Sequence, residues 1–298
     1  MSKFSKNLME KCGGWFLDRL ASKLSKMPPE RVERFGERLG GLFFRFGIKR
    51  RERALSNLSL AFPRMGPESR EGIARGAFSH FGRVSADFIS SRGRTLDELE
   101  QSTKVVGREH LEEALALQRG VLLITGHLGN WERASAWIAF QGIPISVVIR
   151  NADQDGVNRV VNELRTAPGT RVIPRGNSAR TILERLRKNE IVGIIPDQNA
   201  EDAFLPFFDH PAGTNLGVGV IQERTKSAVL PVTCFAQGNG QYVVKFYPLI
   251  EPFEGYETKG EGLLRAINVW LEMVIKEHPE QWLWFHDRWR NAREAGLM

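Results

Sequence analysis

The sequence predicts an α/β protein with a mixed, mostly parallel central sheet flanked by helices, preceded by an N-terminal helical layer. Three observations carry this. After residue 100, short β-branched runs alternate with amphipathic stretches of helical length, the pattern of strand–helix units in a parallel sheet. Two late runs are joined by Gly238-Asn239-Gly240, a hairpin signal, so part of the sheet is antiparallel. Before residue 100, helical periodicity is broken only at Pro28-Pro29, Pro63 and Pro67.

The elements follow in chain order. A strand at 105–106 leads to a helix over 108–118. The most apolar run, 121–125, leads to a helix over 131–140. Strand 145–149 leads to helix 157–165, and strand 171–174 to helix 179–188. Strand 191–195 leads to a loop. Strands 229–235 and 242–247 form the hairpin, and a final helix fills 262–276. No internal repeat is visible. The 298 residues suit one large or two modest domains. The change of texture divides a helical layer (1–100) from an α/β core (101–298). A layer packed on the core and a separate domain both fit that change, and one integrated domain is expected.

Composition excludes several classes. Apolar residues are 42% and charged residues 26%, enough for a sizeable core and against disorder. Two cysteines, Cys12 and Cys234, are too few for a disulfide scaffold or a Cys-rich zinc module. No run is apolar and long enough to span a bilayer. Residues 1–10 lack the apolar region and cleavage site of a secretory signal. Neither a spanning nor an exported chain is expected.

Charge is uneven. Residues 1–94 hold 20 Lys/Arg against 9 Asp/Glu, a net of +11, and the rest hold 22 against 26, a net of −4. The basic segment predicts an anionic partner. Trp15, Phe16, Leu20 and Leu24 recur with Arg19 and Lys23 between them. Leu39, Leu42, Phe43 and Phe46 precede Lys49, Arg50, Arg51 and Arg53. An apolar stripe flanked by cations suits an interfacial helix on an anionic phospholipid surface. The layer is therefore expected to dock on a membrane; the alternative is an internal core with a solvated basic rim. Nucleic acid is not expected, because zinc spacing, RNA-recognition signatures and a basic zipper are missing.

Gly126-His127-Leu128-Gly129-Asn130-Trp131-Glu132 follows the most apolar strand and opens a helix, where ligands sit in α/β sheets. On a continuous helix His127 and Glu132 would lie about 140° apart. They converge only if His127 lies in the turn and Glu132 in the first helical turn. Asn130 is a good N-cap. A histidine oriented by a carboxylate is the general-base half of a catalytic triad. No Gly-x-Ser-x-Gly nucleophile accompanies it, so the base acts on a hydroxyl supplied by the substrate. That is direct acyl transfer to an alcohol, with backbone N–H groups around Gly129, Asn130 and Trp131 stabilising the oxyanion. The alternative is an ordinary capped turn with a surface histidine. No metal is expected: the helical two-histidine motif is missing and the six histidines are scattered.

Other blocks stand beside this motif: Asn57-Leu58-Ser59-Leu60-Ala61-Phe62-Pro63, Pro196-Asp197-Gln198, Pro206-Phe207-Phe208 with Thr214, Val229-Leu230-Pro231-Val232, and the run from Gln281 to Trp289. In this order, over nearly the whole chain, they resemble the bacterial lipid A biosynthesis acyltransferases, the lauroyl/myristoyl transferase group of the lysophospholipid acyltransferase superfamily. The wider superfamily usually carries Asp at the acidic motif position, and Glu132 fits the lipid A branch. The resemblance implies a fatty acyl thioester donor on acyl carrier protein or CoA, without a resident cofactor. It also implies a hydroxyl of a phosphorylated glycolipid acceptor and a peripheral place on the cytoplasmic face of the bacterial inner membrane. Two departures stand out. Relatives often begin with a longer apolar anchor helix, whereas this start is basic and amphipathic. Relatives commonly carry Gly where this chain has Asp209.

Secondary site residues follow. Both substrates carry phosphate, so an arginine is expected near His127. Arg165 lies where the resemblance places a phosphate-binding Arg, and Arg150 ends a predicted strand; Arg175 and Arg180 are weaker candidates. Asp197 and Gln198 end strand 191–195 and so face the same crevice. Asp197 orients His127, holds a sugar hydroxyl, or caps a turn. Asn130 caps the helix, binds substrate, or both. Trp282, Trp284, Phe285, Trp289 and Arg290 resemble an aromatic membrane rim, although burial against the sheet is the more ordinary reading.

Overall fold

The structure is a computed structural model that describes residues 3–149, 156–174 and 178–298, with side chains from residue 13 onward. The helical layer comprises α1 (Lys3–Leu24), α2 (Pro29–Phe46), α3 (Ile48–Ala61) and α4 (Pro67–Ser90). Pro29 and Pro67 each open their helix, where a missing N–H costs nothing. Helices α2 and α4 cross in backbone contact: a Cβ on Gly36 or Gly82 would lie 2.5 or 2.1 Å from the facing carbonyl.

A short α5 (Leu96–Gln101), opened by a Thr95–Glu98 capping box, leads into the sheet. The strands are β1 (Thr103–Val106), β2 (Val121–Ile124), β3 (Ile145–Ile149), β4 (Arg171–Pro174), β5 (Ile191–Ile194), β6 (Ala203–Phe207), β7 (His210–Thr214), β8 (Ala228–Gly238) and β9 (Gln241–Phe246). Helices α6 (Arg108–Ala116), α7 (Trp131–Phe140), α8 (Gly156–Thr166), α9 (Ser178–Arg187), α10 (Gly217–Thr225), α11 (Glu261–Glu277) and α12 (Arg290–Glu294) connect or follow them. Seven strands form one sheet in the order β1-β9-β8-β2-β5-β3-β4. Every neighbouring pair is parallel except β8/β9. This is the mixed, mostly parallel sheet that the sequence predicts.

The stretch after β5 differs from the expected loop. Strands β6 and β7 form a separate antiparallel hairpin. Its two turn residues, Phe208 and Asp209, have φ of 50° and 60°. Both central residues at positive φ is the geometry of a tight hairpin turn, usually signalled by Asn-Gly. Phe-Asp hides that signal. Asp tolerates the left-handed region better than most residues, which suits Asp209 to this turn.

Alternation along β2 splits the core. Leu122 and Ile124 face one side, packed with Val192, Leu271 and Trp282, while Val121 and Leu123 face α6 and α7. The first side also contains Phe44, Leu58 and Phe78 of the helical layer, so layer and sheet share one apolar cluster. Trp282, Trp284, Phe285 and Trp289 are all buried there, so burial wins over the membrane-rim reading.

Candidate active site

Strand β2 is the sheet's central strand, and β5 is its parallel neighbour. The chain leaving β2 carries His127, and the chain leaving β5 carries Asp197 and Gln198. Seventy residues of sequence separation thus close to hydrogen-bond distance. Asp197 Oδ1 lies 2.7 Å from His127 Nδ1, and Asp197 Oδ2 accepts from the His127 backbone N–H at 2.6 Å. Trp282 Nε1 donates to Oδ2 at 3.0 Å. With an ionised carboxylate as acceptor, Nδ1 carries the imidazole proton and Nε2 keeps its lone pair. Gln198 Nε2 lies 3.4 Å from that atom. Gly126 permits the approach: a Cβ there would sit 3.1 Å from Asp197 Oδ2.

Electrostatics follow the contacts. Burial alone would push the Asp197 carboxyl up, but His127 and the Trp282 donor bring it down to about 2. Burial pushes His127 down, and the Asp197 charge and hydrogen bond, with Glu132 further off, more than reverse this, so its pKa is raised. Asp197 is 2% exposed and His127 22%, so the carboxylate sits behind the ring and the ring faces open space.

Glu132 lies in the first turn of α7, as expected, but it does not touch His127. Arg165 claims it: Nε lies 3.0 and 3.2 Å from the two carboxylate oxygens, and Nη2 also binds Oε1. The physical reason is reach. Arg165, in the last turn of α8, presents a planar fork that fits a carboxylate, while His127 already has a partner at its back. The expectation that Glu132 orients His127 is therefore corrected to Asp197, and Glu132 acts on the imidazole only through its charge. Arg165 lines the cavity with its Nε and Nη2 turned to Glu132 and its Nη1 3.4 Å from Asn162 Oδ1.

Gly129 and Asn130 are also corrected as substrate contacts. Asn130 is fully buried, its Oδ1 caps Arg133 N–H at 3.0 Å, and its Nδ2 donates to Asp87 at 2.7 Å. Both ends of the amide are used. The Gly129 N–H donates to Gln281 O and the Asn130 N–H to Cys234 O. Neither serves an oxyanion. Among the described residues the Trp131 and Glu132 N–H groups make no hydrogen bond to the protein, and they open α7. Arg150 and Arg175 lie outside the described residues, and Arg180 is exposed on α9 off the cavity wall.

A cavity of ≈ 1080 Å³ opens beside His127, just above the range of about 300–1,000 Å³ ordinary for ligand pockets. Its lining is part apolar, with Val147, Ile182, Ile194, Val218 and Ile221, and part polar, with Glu132, Arg165, Gln198 and His286. His286 accepts from the Asn199 N–H, and burial lowers its pKa to about 4. From sequence, Trp282 and Arg290 read as part of a membrane rim and Arg50 and Arg53 as interfacial cations; the structure puts Trp282 on Asp197 and the three arginines on the cavity lining. The run Lys49–Arg53 at a helix start was the available signal for two of them.

Comparison with known proteins gives the class first: this chain is an acyltransferase. It belongs to the bacterial lipid A biosynthesis acyltransferase family, whose model matches residues 2–291. The resemblance read from the motif blocks is thereby borne out. The chain is 23% identical to the lipid A biosynthesis acyltransferase of Haemophilus influenzae, over 83% of this chain and 78% of the relative. It is 28% identical to the lipid A biosynthesis palmitoleoyltransferase of Escherichia coli K12, over 86% and 83%. A phosphatidylinositol mannoside acyltransferase of Mycobacterium tuberculosis is 24% identical over 61% of this chain and 58% of that protein.

Proposed function

We propose that this enzyme moves a fatty acyl chain from a thioester, on acyl carrier protein or CoA, to a hydroxyl of a lipid A precursor, with His127 as general base. The acceptor oxygen adds to the thioester carbonyl as His127 Nε2 takes its proton. Collapse expels the thiolate, which takes the proton back from the imidazolium. No bond to the enzyme forms. Asp197 holds the tautomer and stabilises the imidazolium. The Trp131 and Glu132 N–H groups are the oxyanion donors, and the Gln198 amide, 3.4 Å from His127 Nε2, is a further donor. The apolar part of the cavity lining takes the chain. The thioester is a co-substrate, and no step requires a resident cofactor.

The observation that carries this reading is the 2.7 Å pairing of His127 with a buried carboxylate at the mouth of a half-apolar cavity. Radiolabelled acyl transfer tests it: His127→Ala loses about 10²–10⁴-fold, and wild-type turnover in that variant sinks the mechanism. The mannoside-acyltransferase relative favours a second reading, the same chemistry on another glycolipid. Mass spectrometry of envelope lipids with and without the protein separates the two.

The enzyme works, in this proposal, from the surface of the bacterial inner membrane, on its cytoplasmic side. Among the described residues no helix is long and apolar enough to cross a membrane. Leu39, Leu42, Phe43 and Phe46 form one exposed stripe on α2, and Phe46 is 70% exposed. Ile48 and the cations of α3 continue it. That pattern supports interfacial docking.

A further inference from the structure

Arg165 is occupied by Glu132, so the phosphate of an acceptor needs another partner. We propose that Arg50, Arg53 and Arg290 form a phosphate-monoester subsite on the rim of the cavity that holds His127. The inference rests on the acyltransferase reading above and deepens it by assigning the acceptor's anionic group.

All three arginines line that cavity. Arg50 and Arg53 are three residues apart on α3, hence on one face. The same face carries Asn57, whose Nδ2 donates at 2.7 Å to the carbonyls of Trp284 and His286. Asn57 thus pins α3 to the C-terminal segment that delivers Arg290, so the arginines are placed before any ligand arrives. Arg53 reaches Asp287 at 3.2 Å, but Asp287 also binds Arg293. One carboxylate is shared between two guanidinium groups. Arg290 Nε donates to Asn291 Oδ1 at 3.3 Å, and among the described residues its one acidic neighbour is the exposed Glu294, at 4.0 Å, while Arg50 has no acidic partner there. The rim therefore keeps a positive surplus.

The helix itself argues against a purely structural role. The first turn of α3 contains no acid and carries Lys49, Arg50 and Arg51 at the positive end of the helix dipole. Cations there are unfavourable for the helix, and a dianion on the rim relieves that repulsion. Arginine forks suit phosphate oxygens.

Two sources carry this chemistry: the acceptor's own phosphate and anionic phospholipid headgroups. The test measures kcat/KM in neutral detergent with a phosphorylated disaccharide lipid and with the same lipid after phosphatase treatment. Wild type, Arg50→Gln, Arg50→Lys and Arg290→Gln are compared, with the exposed Arg187→Gln on α9 as control. Vesicle binding, anionic against zwitterionic, runs in parallel. The expected result is a wild-type preference for the phosphorylated lipid that falls about tenfold or more in Arg50→Gln and Arg290→Gln. Arg50→Lys falls less and Arg187→Gln not at all. An unchanged preference in both Gln variants overturns the subsite, as does a loss confined to anionic-vesicle binding. Absence of transfer by the wild type to either lipid overturns instead the acyltransferase reading beneath it.

Discussion

At the scale of single residues, chemistry concentrates on Nε2 of His127, whose basicity is set by a carboxylate behind it. General-base action needs the neutral ring, and Asp197 raises the ring's pKa. Activity should therefore climb with pH through a value above the ordinary ~6.5 of histidine. Glu132→Gln should lower that inflection less than Asp197→Asn does, because Glu132 acts at a distance and Asp197 in contact; equal shifts in pH–rate profiles would refute this ranking. His127 was legible in the sequence because a histidine in a Gly-rich strand–helix turn is a local signal. Its principal partner was only one option among three, because a motif displays neighbours along the chain. Glu132, five residues away, looked like the partner. Which strand lies beside β2 is decided by sheet order, and spacing along the chain carries no record of it. Trp282 was hidden for the same reason.

At the scale of elements, the turn from β2 into α7 is held from outside. Asp87 of α4 accepts from Asn130, Arg133 and Arg94, and the two arginines keep its carboxyl well below the usual range despite burial. The helical layer thereby grips the cap of the catalytic helix. Asn130→Ala should cost about 0.5–2 kcal/mol for the cap, and more through the lost donor to Asp87, in denaturant unfolding. Gly129 has φ of 59°, and a Cβ would lie 2.3 Å from Cys234 O. Gly129→Ala should therefore destabilise by at least ~1 kcal/mol; an unchanged midpoint would show that the turn relaxes. Most sheet strands and crossover helices were legible, because β-branched runs and helical periodicity are local. The β6–β7 hairpin and α10 were not. A turn built on Phe208-Asp209 lacks the usual residues, and α10 starts at Gly217 and contains two β-branched valines, which are weak helix signals.

At the scale of the molecule, one apolar cluster joins layer to sheet. Phe78 is fully buried against Phe43, Phe44 and Phe285, so Phe78→Ala should cost roughly 3–5 kcal/mol, read from unfolding midpoints. The same layer turns its other stripe outward. Vesicle flotation should show binding that weakens with salt through the basic residues and about tenfold or more with Phe46→Ala through lost apolar burial. Salt-independent flotation would remove the electrostatic half of that proposal. The uneven charge was readable from composition, but which apolar side chains face inward was not, since Phe43, Phe44 and Phe46 look alike until α4 is packed against them. Whether His127 is an imidazole base backed by Asp197 turns on one comparison. This is kcat/KM for acyl transfer against pH in the wild type and Asp197→Asn. A base of this kind gives a wild-type inflection above ~6.5, and in the variant a lower plateau with the inflection moved toward acid. Superimposable profiles would contradict it.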